Sequence, residues 1–188
     1  MRISKAPEIR KREMIDTAMK LFASKGYEAT TMTDIAKEMN VVSGLCYRYF
    51  KSKEDLYNEA LELYAKECVA PMIQIMDRDY NSINEYITKQ KELFRKMDGK
   101  EKYHYFFHAK GNEMFHKQLE YSMLKLLQPH IIGMFERMKQ KKIIQLDDCK
   151  YTALFLMYGQ MPIINDDSIS TEEKIEIETK LIKKIIPF

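Results

Sequence analysis

Apolar residues recur every three or four positions along most of this chain, which is helical spacing. Met14, Ile15, Ala18, Leu21 and Phe22 predict an amphipathic helix from Pro7 to about Ser24. Gly26 is a good stop, because glycine tolerates a left-handed cap. Thr31-Met32-Thr33-Asp34 fits a capping box at the start of a short helix running to about Met39, with Ile35 and Ala36 turned inward. Asn40 stands where the chain must turn sharply, and asparagine accepts positive φ better than most residues. The next helix is expected over roughly Ser43 to Phe50. Lys51-Ser52-Lys53 separates it from a long helix bearing Leu56, Tyr57, Ala60, Leu61 and Tyr64, predicted to end before Pro71.

Helical spacing continues to the end. Ser82-Ile83-Asn84-Glu85 reads as a second capping box, leading into Tyr86, Ile87, Leu93, Phe94 and Met97, with Asp98-Gly99 as the stop. An aromatic segment, Tyr103 to Phe107, precedes Gly111-Asn112. Met114 to about Lys142 reads as a long helix that Pro129 should kink or split. Asp147-Asp148 and Ser170-Thr171-Glu172-Glu173 cap the last two helices, with Asn165 to Ser170 as a polar loop between them. The expectation is an all-α fold of about nine helices, with no strand and no internal repeat.

Composition sharpens this picture at a few points. Six glycines and five prolines leave little room for long loops. The three cysteines, Cys46, Cys68 and Cys149, are odd in number and widely spaced, which argues against a disulfide framework or a zinc knuckle. The opening MRISKAPEIRKRE has no apolar core region, and no run is long enough to cross a bilayer, so a cytoplasmic protein is expected. Charge is uneven. The net +3 of the whole chain hides eleven basic and six acidic residues within 1–53, against twenty basic and twenty-two acidic residues beyond. Phosphate binding is therefore expected at the amino-terminal end.

Thr30 to Lys53 has the shape of a helix-turn-helix. Such a unit needs one helix across the DNA backbone and a second in the major groove. Small Ala36 lets two helices approach closely, and Ile35, Val41, Cys46 and Phe50 supply the contacts between them. Ser43, Gly44, Leu45, Tyr47, Arg48 and Tyr49 are left around the other faces of a very short helix, where hydroxyls, a guanidinium and aromatic edges can meet bases and phosphates. Lys51 and Lys53 follow at once, placed for phosphate. Thr31, at a helix start, can present hydroxyl and amide to a phosphate.

These residues resemble the amino-terminal domain of the TetR/AcrR transcriptional regulators. The marks are Ile15, Ala18, Leu21-Phe22, Gly26-Tyr27, Thr30-Thr31, Ile35-Ala36, Val41, Gly44, Tyr47, Tyr49-Phe50, Lys53-Glu54 and Leu56, in order and without gaps. The resemblance implies that Thr31, Tyr47 and Lys53 hold phosphates, while Thr33, Ser43, Gly44, Leu45 and Tyr49 meet or approach bases. Two positions depart from the pattern. Val42 stands where a Ser or Thr usually caps the reading helix, and Ser43 is expected to take that role with a one-residue shift. Cys46 replaces the usual Leu or Ile.

The resemblance further implies two domains. Residues 1–53 form the DNA-binding domain, and 54–188 a helical domain that dimerises and encloses a small-molecule site. The implied function is a ligand-responsive repressor, released from a palindromic operator by a small hydrophobic or amphipathic molecule. Tyr103, Phe106, Phe107, Met114 and Phe115 are candidates to line the ligand pocket, with plain core as the competing reading. Tyr151, Leu154, Phe155 and Tyr158, with Ile175, Leu181, Ile182 and Ile185, are candidates for the homodimer seam, with intramolecular core as the competing reading. His104 and His108, at i and i+4, can face one metal, but no metalloenzyme signature surrounds them, so no metal or other cofactor is expected. Cys46 reads as a small core residue rather than a redox switch. No nucleophile–base pair, phosphate loop or paired carboxylate stands out, which argues against an enzyme. The alternatives kept open are a helical enzyme and a protein-interaction module that has the fold without the DNA binding.

Overall fold

A computed structural model of the chain describes residues 6–97 and 103–187, without the side chain of Met97. The described residues are helical with no strand, in ten segments. They are α1 (Pro7–Lys25), α2 (Met32–Glu38), α3 (Ser43–Tyr49), α4 (Lys53–Met76), α5 (Ile83–Met97), α6 (His104–Phe107), α7 (Glu113–Gln140), α8 (Cys149–Gly159), α9 (Met161–Ile164) and α10 (Thr171–Ile185). Two of these, α6 and α9, are single turns of four residues. The expected stop at Asp98-Gly99 lies outside the described residues.

The chain divides into two compact units. The first takes the described residues up to Tyr64 together with those from Tyr103 to Leu119; the second takes Ala65 to Met97 and Glu120 to Pro187.

In the first unit, α1 buries Met14, Ile15, Ala18, Met19 and Phe22 on one stripe. The helix ends at Gly26, whose φ of 85° is the left-handed conformation glycine accepts without strain. Aromatic rings fill the rest of this core. Phe106 packs on Phe22 and Phe115, Tyr57 lies edge-on to Tyr27 and Phe115, and Phe107 stacks on Tyr64 at 5.2 Å between centroids. The Tyr57 hydroxyl donates to the Gln118 side chain at 3.0 Å.

The second unit is built around one apolar cluster. It includes Val69 of α4, Ile83 and Ile87 of α5, Leu127, Ile131 and Met134 of α7, and Ala153 and Met157 of α8. One expectation fails here, and of the kink or split expected at Pro129 the split is absent. Pro71 does not follow the end of α4 but sits inside it, and α7 runs through Pro129 without splitting. An interior proline costs roughly 3 kcal/mol. Burying one large aliphatic side chain returns about 1.5–3 kcal/mol, and both prolines have apolar neighbours packed on this cluster: Val69, Met72 and Ile73 around Pro71, Leu127 and Ile131 around Pro129. Pro129 also lies exposed, so water can solvate the carbonyl its ring leaves unbonded.

The caps follow the sequence. Ser170 and Glu173 form the expected capping box of α10, and Asp148 caps α8 by accepting from the Tyr151 amide. Ser82 accepts from the Glu85 amide, but Glu85 reaches back to the amide of Asn81 rather than of Ser82.

One group is out of place energetically. Glu178 of α10 is buried facing α5, beside Ile87, Phe94 and Ile182. Its Oε1 has no hydrogen-bond partner. Desolvation disfavours the charged form and pushes its carboxyl up to about 7, with Lys174 opposing weakly.

Candidate nucleic-acid interface

The reading unit is assembled from its buried residues outward. Ile35 and Ala36 of α2 face Cys46 of α3 and Phe50 just beyond it, and all four are buried. Phe50 and Cys46 are thus core, and the smaller Cys46 fits where the family pattern has a larger residue. Asn40 makes the turn at φ 54°, and the Val41 amide donates to the Ala36 carbonyl at 2.9 Å, locking α3 against α2.

That packing decides which side chains face outward. Thr33, Gly44, Tyr47, Arg48 and Lys51 are exposed, Tyr47 by 55%. Ser43, Leu45, Tyr49 and Lys53 are half-buried at the margins of the same unit. No other heavy atom lies within 4 Å of where a Gly44 Cβ would stand, so nothing in the fold itself requires glycine there.

Two of these residues also serve the fold, and a third, Ser43, departs from its expected capping role. Thr31 keeps its exposed position, but its hydroxyl donates to the Asp34 carboxylate at 2.7 Å and its amide donates to the same group at 2.9 Å. The Asp34 amide donates back to the Thr31 hydroxyl at 3.1 Å. The groups expected to hold a phosphate therefore close a capping box, because a carboxylate three residues on is always within reach. These bonds and Lys25, 3.2 Å away, hold the Asp34 carboxyl down to about 2. Ser43 does not cap α3: Val42 occupies the cap position, with no side-chain bond to the helix. Lys53 donates to the Tyr27 carbonyl at 2.7 Å and lies 4.2 Å over the Tyr27 ring. It thus pins the end of α1 to the start of α4, with a donor left to offer a phosphate. Val42, an aliphatic residue where a hydroxyl usually stands, is left exposed at the start of α3.

The other candidates are scattered by role. Tyr103, Phe106, Phe107 and Phe115 come together, but within the aromatic core of the first unit, with Phe106 and Phe107 fully buried. Met114 points away, exposed. The His104 and His108 rings stack at 4.1 Å, and His116 lies 4.6 Å from His108. Among the described residues no three His, Cys, Asp or Glu side chains are grouped to hold a metal ion. Of the seam candidates, Tyr151, Phe155 and Tyr158 form an exposed stripe on α8, and Leu181 is exposed on α10. Leu154, Ile182 and Ile185 are half-buried, while Ile175 is buried in the unit's own packing. No helix of the described residues is long and apolar enough to cross a membrane.

A short second helix held by a small-residue contact, with a solvated basic and aromatic outer face, defines a helix-turn-helix protein. Comparison with known proteins agrees. Residues 14–60 match the model of bacterial regulatory proteins of the tetR family. The HTH-type transcriptional regulator YuxN of Bacillus subtilis, itself uncharacterized, is 42% identical over 62 residues, 33% of this chain and 21% of YuxN. The HTH-type transcriptional repressor KstR2 of Mycolicibacterium smegmatis is 37% identical over 71 residues, 38% of this chain and 35% of KstR2. The matched stretches thus span about a fifth to a third of these relatives' own length. A structure from Mesorhizobium loti, assigned to the TetR family of transcriptional regulators, superimposes with a TM-score of 0.69 over 98% of this chain and 100% of that one. Its 18% identity speaks for the fold alone. Residues 14–60 are thus a tetR-family DNA-binding domain, and the helical fold of the described residues is the one that TetR-family structures share.

Proposed function

We propose that the chain is a DNA-binding transcriptional repressor that acts as a homodimer on a palindromic operator and is released by a small hydrophobic or amphipathic molecule. The observation that carries this reading is the division of α2 and α3 into a buried seam and an outward face. Ile35, Ala36, Cys46 and Phe50 hold the seam, while Thr33, Gly44, Tyr47, Arg48 and Lys51 face solvent together. Ser43, Leu45 and Tyr49 reach base edges from the margin of that face. Tyr47, Arg48, Lys51 and Lys53 take phosphates. Repression is supported by kinship with KstR2. Release by an effector rests on the family alone, and DNA binding by the second copy rests on the exposed α8 stripe.

The test is binding of the purified chain to duplex fragments from around its own gene at several salt concentrations. If each of two copies places Arg48, Lys51 and Lys53 on phosphates, the logarithm of affinity should fall against the logarithm of salt with a slope of about −5. Affinity that ignores salt, or no duplex binding, would favour an interaction module instead.

Gly44 separates fold from function. Alanine there meets no neighbouring atom and should favour the helix by about 0.5–1 kcal/mol. The Gly44→Ala variant is expected to melt at or above the temperature of the parent. Its duplex affinity should fall about tenfold, the cost of one displaced base contact. Thermal melts and fluorescence anisotropy on the same samples check both halves.

A further inference from the structure

Val42 is the side chain of the reading unit that the function above leaves unused. It lies in the turn between α2 and α3 and stands 75% exposed. It packs into neither helix, and it cannot supply the hydroxyl cap usual at its position. Two residues on, Gly44 presents no side chain, and the space over it is open. An aliphatic group therefore projects beside a bare stretch of backbone, on a face whose other exposed side chains are the hydroxyl of Thr33, the phenol of Tyr47 and the cations Arg48 and Lys51, with aliphatic Leu45 half-buried at its margin.

In the major groove each base pair shows hydrogen-bonding groups, but only thymine adds an apolar one, its C5-methyl. Thr33, Ser43 and Arg48 can bond to polar base edges; a valine cannot. We propose that Val42 is a specificity residue that reads one thymine in each operator half-site by packing its isopropyl group on the C5-methyl, with Gly44 allowing the base pair to come close. The inference rests on the α2–α3 face being the DNA interface.

The full-length chain should first select its site from a randomised duplex library. Each thymine of the selected site is then replaced singly by deoxyuridine, which removes the methyl and keeps the base pair. The parent chain should lose affinity roughly three- to fivefold at one position per half-site, the worth of about one buried methyl. Val42→Ala should bind the deoxyuridine and thymine duplexes equally. Because Val42 is solvent-exposed, the variant should fold as the parent does, and its circular dichroism and melt should coincide with the parent's. Deoxyuridine without effect at every position would overturn the inference, as would a Val42→Ala variant that keeps the full penalty. In either case selection of a duplex would leave the DNA-binding reading standing. Failure to enrich any duplex would sink both.

Discussion

In the homodimer proposed above, replacing Phe155 by glutamate should separate the two copies and weaken operator binding by at least about a hundredfold. Two reading heads joined in one dimer gain about 10²–10⁴ over one head by effective concentration alone, and that gain disappears when the copies separate. The residue is chosen by its setting. Tyr151, Phe155 and Tyr158 lie at i, i+4 and i+7 on α8 and so share one face. All three are exposed in the single chain, Phe155 by 68%. A stripe of large apolar side chains in water marks a surface that another molecule covers. A two-fold dimer would cover it with the same stripe of a second copy. Glutamate on each side of such an isologous seam would place like charges together in a desolvated patch. Sedimentation velocity reads the assembly, and fluorescence anisotropy reads the duplex. Since Phe155 contributes little to its own unit's core, the helical circular dichroism should stay unchanged. A variant that remains dimeric would remove α8 from the seam.

The second large effect concerns stability and pH. Glu178 has its carboxyl pushed up to about 7 by burial, whereas in the unfolded chain it would titrate near 4.5. Between those two values the folded state holds a proton that the unfolded state has released. Stability from this group is therefore full below about pH 4.5 and is lost as pH rises to about 7. The loss amounts to about 3 kcal/mol. Above pH 7 both states are ionised and the effect is constant. Glu178→Gln removes the titration while keeping shape. The variant should resemble the parent near pH 4.5 and exceed it by about 2–3 kcal/mol at pH 8, where the parent must bury a carboxylate with an unbonded oxygen. Urea unfolding at several pH values gives the difference directly. Parallel curves for the two proteins would mean that the carboxyl finds a partner or water on ionising.

The amino-terminal half of the fold was legible because its signals are local. A capping box at Thr31–Asp34, an asparagine at the turn and a helical apolar stripe each act within a few residues, and each stands where expected. The same locality misled at Pro71. A proline lowers helix stability wherever it is read in isolation, and only the apolar neighbours packed around it reveal that the helix continues. In sequence the aromatic segment after Tyr103 was a candidate for a pocket, with plain core the stronger reading. Which it became depended on Phe22, Tyr27 and Tyr57, which are far away along the chain.

By itself, the sequence determined helices, most of their caps and the tetR-family match of residues 14–60, since these depend on residue type and short spacing. Tertiary packing decided which groups are spent on the fold and which are left for other molecules. It anchored Lys53 to the Tyr27 carbonyl. It also buried Glu178 without a full set of partners, and left Val42 and Phe155 in water. The reason is physical: exposure and hydrogen-bond satisfaction depend on neighbours brought close by folding, and no spacing along one chain records them.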